Sequence, residues 1–316
     1  MQLWATTATQ EQDGGHPASR VLAFLHECAQ PRNPLFFCPD TMCLPYMVGT
    51  NPDPVWTEYL SAALPIARDA GKLLAERFGG VRTIELKGAI NLVTEMDRRA
   101  EDLIVSRLAK AFPGFAIIAE EGSGLNAESE FAWYVDPLDG TTNYAHGLPV
   151  FCVSLGLWRT DQPICGIVFH PMGDELFTAI TGGGAFLGDR RLAVSPTTDL
   201  GNAILATGFP YDIRDSEFDN LDHFARFAKR ARAIRRMGAA ALDLAWTAAG
   251  RFDGFWEMKL SPWDFAAATI LCREAGALIT DFDGRPFSLK RGQAVVANPI
   301  LHAQLLSVIR QGRYPR

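Results

Sequence analysis

Apolar residues fall on a helical stripe through Val55, Tyr59, Leu60, Ala63, Ile66, Ala67, Ala70, Leu73 and Leu74. Asp53-Pro54 ahead of them supplies a cap and a proline suited to a first helical turn. Pro65 lies inside the stripe and is expected to bend or interrupt the helix. A second helix opens at Thr94-Glu95-Met96-Asp97, a capping-box pattern with Asp in place of Glu. It runs through Leu103, Ile104, Leu108 and Phe112 and is stopped by Pro113-Gly114. Short β-branched and aromatic runs then predict strands at about 115–119, 131–135, 150–158, 164–169, 175–180, 203–207 and 252–257. Helical spacing occupies about 218–231, 239–250 and 263–276, the last opened by Ser261-Pro262-Trp263-Asp264 with its cap residue and proline. Gly182-Gly183-Gly184 reads as a flexible hairpin and not a phosphate loop, because no helix start follows it. No internal repeat is visible.

The first fifty residues stand outside this order. Pro31, Pro34, Pro39, Pro45, Pro52 and Pro54 crowd residues 31–54 and defeat helix and central strand alike. Residues 1–50 are therefore expected to form an irregular appendage away from any active site, with Met47 a candidate natural start. Residues 51–316 form the remaining domain. Its 316-residue parent chain, 48% hydrophobic and 21% charged, can bury a large core. No stretch approaches the roughly 18 uncharged apolar residues of a membrane span. The net charge of −6 argues against a nucleic-acid-binding surface overall. The exception is the basic run from Arg226 to Arg236, read as a solvated helix face leading into a strand. Cys152, Cys165 and Cys272 sit in apolar patterns as small core residues. Cys28, Cys38 and Cys43 match no zinc module, so a reducing cytoplasm is expected. The N-terminus has neither the apolar core of a signal peptide nor the Arg-rich, acid-poor character of a transit peptide.

The chemistry concentrates in acids at the ends of apolar runs. Phe131–Val135 leads into Asp136-Pro137-Leu138-Asp139-Gly140-Thr141-Thr142-Asn143. Two carboxylates leave the strand there and enter a turn of small residues. Carboxylate and backbone oxygens suit a hard cation such as Mg²⁺, and free backbone N–H groups beside them suit a phosphate. Successive Asp-Pro and Asp-Gly turns would explain the same residues without chemistry. Phe115–Ala119 ends in Glu120-Glu121-Gly122, and Trp263-Asp264 precedes Glu274-Ala275-Gly276. Each acid has a plain structural reading: Asp264 and Asp97 are also good helix-cap residues.

Taken in order, Glu120-Glu121-Gly122, Asp136–Asn143, and Trp263-Asp264 with Glu274-Ala275-Gly276 resemble the inositol monophosphatase family of Mg²⁺-dependent, lithium-sensitive phosphomonoesterases. Asn91–Thr94 before Asp97, Thr207–Tyr211 and Gly250–Glu257 fit as well, so the resemblance runs from about Val55 to about Ala297. It implies an α+β fold, a layered α-β-α-β-α sandwich shared with fructose-1,6-bisphosphatases. A half at about 51–190 would carry most metal ligands, and a half at about 191–316 would carry Asp264 and substrate contacts. By the same resemblance Glu120, Asp136 and the Leu138 carbonyl bind one Mg²⁺, while Asp136, Asp139 and Asp264 bind a second. A third, weaker ion lies near Glu120. Glu120 and Thr141 hold the attacking water, and Asp97 accepts a hydrogen bond from Thr141. Gly140, Thr141 and Thr142 hold phosphate oxygens. Gly238, Ala239, Ala240 and Glu257, with Asp139 and Asp264, line the substrate, and Lys87-Gly88 belongs to a mobile loop near the metals. A homodimer is the common assembly.

The resemblance implies a phosphatase acting on a small polyol phosphate, inositol monophosphate above all. Thr142-Asn143 fits that branch, since the nucleotide-phosphatase branch more often carries Lys there. Histidinol phosphate and fructose 1,6-bisphosphate remain alternatives. An aspartyl-nucleophile phosphatase would need Asp-x-Asp where this chain has Asp-x-x-Asp, and an EF-hand would need acids where Pro137, Leu138 and Thr141 stand. A binding role in a transcription or RNA-processing complex has the Arg226–Arg236 run as its sequence support.

Overall fold

Asp53 opens the first helix, α1 (Pro54–Arg77), its side chain accepting the Val55 N–H at 2.9 Å. The computed structural model describes residues 52–80, 84–86, 92–126 and 128–312. The expectations for residues 1–50 and for Lys87-Gly88 lie outside the described residues. Pro65 does not interrupt α1. The N–H it lacks would have bonded Ser61, which is exposed, so water can take that carbonyl. The buried stripe of Leu60, Ala63, Ile66, Ala67, Ala70 and Leu74 holds the two halves of the helix to one surface. A short antiparallel pair, β1 (Ile84–Leu86) and β2 (Leu92–Thr94), leads into α2 (Glu95–Ala111).

Seven strands form the larger sheet, in spatial order β3 (Ala116–Ala119), β4 (Phe131–Asp139), β5 (Cys152–Arg159), β6 (Gln162–His170), β7 (Glu175–Ile180), β8 (Gly184–Leu187) and β9 (Arg190–Arg191). Only β3 and β4 run parallel; the remaining pairs are antiparallel. A one-turn helix, α3 (Thr141–Ala145), follows β4 directly. The later strands are β10 (Ile204–Thr207), β11 (Ala233–Arg235), β12 (Gly254–Met258), β13 (Leu278–Thr280) and β14 (Gln293–Ala297). They make a mixed five-stranded sheet in the order β11-β10-β12-β14-β13. The interleaved helices are α4 (Leu221–Ala228), α5 (Ala240–Ala248), α6 (Pro262–Glu274) and α7 (Pro299–Ile309).

Helices α1 and α2 cover the outer face of the larger sheet, α5 and α6 lie between the sheets, and α4 and α7 cover the outer face of the smaller one. Three apolar clusters fill the four interfaces, one of them spanning both faces of the central helix layer, giving the α-β-α-β-α sandwich. The basic run does lead from α4 into β11, with Arg226 paired to Asp222 at 3.1 Å. The glycine run forms the β7–β8 turn but is not free: the Glu274 carboxylate accepts the N–H groups of Gly182 and Gly184, each at 2.9 Å. Cys152, Cys165 and Cys272 are free and buried. No helix among the described residues is long and apolar enough to cross a membrane.

Helix α6 is seated on bare strand. Gly156 and Gly166 face each other across β5 and β6, and a Cβ on Gly156 would stand 2.6 Å from the Ala267 nitrogen. A Cβ on Gly166 would collide with the Ala267 carbonyl. Gly166→Ala is therefore expected to lower stability by roughly 1–3 kcal/mol, as overpacking does where backbone must give way. Urea unfolding checks it, and an unchanged midpoint would refute the close seating.

Candidate active site

Strand β4 runs past the expected end at Val135 and carries its pairing with β5 to Asp139. Residues three apart on a regular strand face opposite sides. Here Asp136 pairs with Ser154 and Asp139 with Cys152, so three steps on β4 match two on β5. The extra residue, at Pro137-Leu138, is a bulge that turns both carboxylates to one face. Asp136 accepts the Leu138 N–H at 3.0 Å. Gly140 follows at φ 93° and abuts the Val150 carbonyl, Ala239 and the Gly238 carbonyl, where no larger residue would fit.

Asp97 uses both carboxylate oxygens. Oδ2 accepts the Thr94 N–H at 2.7 Å and the Thr94 hydroxyl at 2.6 Å, closing the capping box of α2. Oδ1 accepts the Thr141 hydroxyl at 2.8 Å. The cap reading and the functional reading thus describe the same side chain. One turn on, the fully buried Glu101 accepts the N–H of Glu121 at 2.7 Å and of Ser123 at 2.9 Å. It holds the segment that begins at Glu120, whose own N–H donates to Val135 at 3.2 Å. Glu101 was not among the expected site residues. Its signal in the sequence is a second acid on the apolar stripe of α2, between Ala100 and Ile104.

From the other half come Asp264, Glu257 and the Gly238–Ala240 turn. Asp264 accepts the Ser261 N–H at 2.7 Å and donates its own N–H to the Ser261 carbonyl at 3.1 Å at the start of α6. Glu257 is buried on β12. The turn at Gly238–Ala240 opens α5, whose first N–H groups have no partner within the helix. Asp139 supplies one: its Oδ1 accepts Ala240 N–H at 3.1 Å and its Oδ2 accepts Ala241 N–H at 2.8 Å. Asn143 ties the same turn down, donating to the carbonyls of Val150 at 2.7 Å and Met237 at 2.8 Å. Neither link is legible in the sequence, because each joins residues about a hundred positions apart.

The acids act on one another. Burial pushes Asp136 well above the usual carboxylate range, and the charges of Glu120, Asp139 and Asp264 push it further. Burial raises Asp139 to about 6 against the hydrogen bonds it accepts from Ala241 and its neighbours. Asp264 rises through burial and then through Asp139 and Glu120. Glu257 reaches about 8 through burial and Asp139, with Arg236 opposing. Asp97 is raised by burial. No three His, Cys, Asp or Glu side chains among the described residues gather closely enough to hold an ion by themselves. Mg²⁺ does not demand such a cage: one or two carboxylates, a carbonyl, water and a substrate phosphate satisfy it. The all-oxygen donors Glu120, Asp136, the Leu138 carbonyl, Asp139 and Asp264 fit that ion and would be relieved of mutual repulsion by it.

Comparison with known proteins agrees in family and fold. The profile of the inositol monophosphatase family matches residues 55–314. An inositol-1-monophosphatase from Mesorhizobium japonicum is 41% identical over 255 residues, covering 80% of this chain and 96% of its own. The Nus factor SuhB of Pseudomonas aeruginosa is 43% identical over 260 residues, covering 79% and 95%. The crystal structure of the extragenic suppressor protein suhB from Bartonella henselae superposes with a TM-score of 0.76 at 36% identity, across 81% of this chain and all of that one.

Proposed function

The chain belongs to the inositol monophosphatase family, and we propose that it is a Mg²⁺-dependent phosphomonoesterase whose preferred substrate is inositol monophosphate. The proposal includes the ligand sets stated above for two ions and a weaker third, and a cytoplasmic homodimer. The observation that supports it most directly is the bulge that turns Asp136 and Asp139 to one face, with the Thr141–Asp97 hydrogen bond at its edge. Bound cations would acidify a water and offset charge on the phosphoryl group and the leaving oxygen. The residues do the rest. Thr141 donates its hydroxyl hydrogen bond to Asp97, so its lone pairs are turned to accept a hydrogen bond from the attacking water. Glu120 takes the one proton the water loses as its oxygen bonds to phosphorus, while the other stays on that oxygen, hydrogen-bonded to Thr141. The N–H groups of Gly140, Thr141 and Thr142 hold the phosphate oxygens. Glu257 and the Gly238–Ala240 turn receive the alcohol, with Asp139 and Asp264 bordering it.

Phosphate release from inositol 1-phosphate, histidinol phosphate, fructose 1,6-bisphosphate and a nucleoside 3′-phosphate tests the reading. Inositol 1-phosphate is expected to lead in kcat/KM with Mg²⁺, and every activity to vanish in excess chelator. Full turnover in chelator defeats it; another ester in the lead moves the substrate assignment. Thr141→Ala is expected to cut kcat by about a hundredfold, since the hydrogen bond that orients the attacking water is lost. Its Mg²⁺ titration midpoint should stay where the parent's lies, and a shifted midpoint would make Thr141 a metal-site residue.

A second reading takes support from the similarity to a protein named Nus factor SuhB and from exposed Lys229, Arg230, Arg232, Arg235 and Arg236. Salt-dependent RNA binding that survives Asp264→Asn would favour it.

A further inference from the structure

One exposed aromatic at this site is not absorbed by the chemistry above. Strand β10 ends at Thr207, whose hydroxyl donates to the Trp256 carbonyl at 2.5 Å. The next residue, Gly208, lies with its backbone against the Glu257 carboxylate. Its carbonyl accepts from the buried Asn220 side chain at 2.7 Å. Beyond it the chain is pinned again: Lys259 donates to Asp212 at 2.6 Å and to Ser216 at 2.7 Å, and the Ile213 N–H reaches the Pro210 carbonyl at 3.1 Å. Phe209 turns inward, its ring 5.5 Å from that of Phe224. Tyr211 is left between the two anchors, 60% exposed. A loop so firmly held does not leave a large ring outside for want of order.

The surroundings of that ring identify its place. Glu257 lies on β12 and Lys259 follows its end, and the pinned loop is held along both, at Gly208 and at Asp212. The phenol is held above its usual range, first by desolvation and then by the charges of Glu120, Asp264, Asp139 and Asp136. The ring is open to solvent on a loop whose Gly208 backbone, three residues earlier, packs on the Glu257 carboxylate.

We propose that Tyr211 is a specificity-determining residue: its ring covers the alcohol ring of a bound polyol phosphate opposite Glu257. This rests on the phosphatase reading and extends it to the non-reacting part of the ester. Glu257 would accept hydrogen bonds from hydroxyls on one side of the polyol. The aromatic face would lie along its C–H edges on the other, a contact that an acyclic ester cannot fill.

The test compares the parent protein, Tyr211→Ala and Tyr211→Phe on inositol 1-phosphate and on acyclic glycerol 2-phosphate, with inorganic phosphate as competing ligand. Tyr211→Ala is expected to raise KM for inositol 1-phosphate about tenfold, the effect of losing a ring contact of ordinary strength. Its kcat, its KM for glycerol 2-phosphate and its inhibition by phosphate should each stay within about twofold, since the groups that hold phosphate are untouched. Tyr211→Phe should remain within about threefold of the parent on both esters, because the ring is kept. Equal losses on both esters, no loss on either, or a Phe variant as impaired as the Ala variant would overturn the proposal. If the parent releases phosphate from neither ester, the phosphatase reading itself fails and this one falls with it.

Discussion

Asp136→Asn is expected to leave a folded protein with at least about a thousandfold less turnover, the scale of several kcal/mol of lost transition-state stabilisation. Asn preserves shape and can still accept the Leu138 N–H, so the bulge survives. What disappears is the charge at the centre of the group, the one on which Glu120, Asp139 and Asp264 all act. In the proposed site that charge is shared by two cations, so Mg²⁺ affinity falls together with kcat. The same substitution removes a repulsion that the metal-free protein must bear. The variant should therefore melt at or above the parent temperature in chelator, and show little of the parent's rise on adding Mg²⁺. A variant that melts early would point to a structural role, and one that keeps its Mg²⁺ response would remove Asp136 from the ligand set.

Metal-free protein is expected to lose stability as pH rises from 5 to 8, and Mg²⁺ to restore more of it at pH 8 than at pH 5. The sign follows from acids raised in the folded state. Below the unfolded value, 4.5 for Glu257, the group is protonated in both states and costs nothing. Between 4.5 and about 8 the folded state retains a proton that the unfolded chain has released, so stability falls throughout that window. Glu257 alone is worth on the order of 4 kcal/mol across it. Asp139, raised from 3.8 to about 6, adds to the loss over the lower part of the range. Cations reverse the sign by favouring ionised carboxylates. For a domain of this size each kcal/mol moves the midpoint by roughly 2–4 °C, so the Mg²⁺-induced rise at pH 8 should exceed that at pH 5 by several degrees. Melting curves at the two pH values, with chelator and with Mg²⁺, measure it; equal shifts would mean that the ions do not bind at the raised acids.

Much of the site was legible because its acids stand at strand and helix ends, where local patterns are strongest. The apolar run before Asp136 and the Ser-Pro-Trp-Asp helix start before Asp264 marked both. What the alternation rule would have denied is that Asp136 and Asp139 share a face: strict period two sends them apart, and a bulge leaves no mark in composition. Glu101 is not legible there, because a charge on an apolar stripe reads as a break in the pattern. Helix α7 and strand β14 escape the pattern for the opposite reason. Val295 and Val296 are buried in succession, and α7 is mostly apolar, so neither shows a contrast between faces. Pro65 leaves α1 continuous because water can reach the carbonyl that its missing N–H frees.

The glycine pair beneath α6 also acts as a spacer. Ala266 and Ala267 rest on Gly156 and Gly166, and Asp264 projects from the same helix less than one turn earlier. The absence of two side chains in the middle of a sheet thus sets the height of a carboxylate above it. A methyl group added there would lift the helix as a rod and carry Asp264 with it, and a misplacement of about 1 Å at a reacting centre can cost a hundredfold in rate. Residues that touch neither ion nor ester would then behave, in any activity screen, as though they lay in the active site.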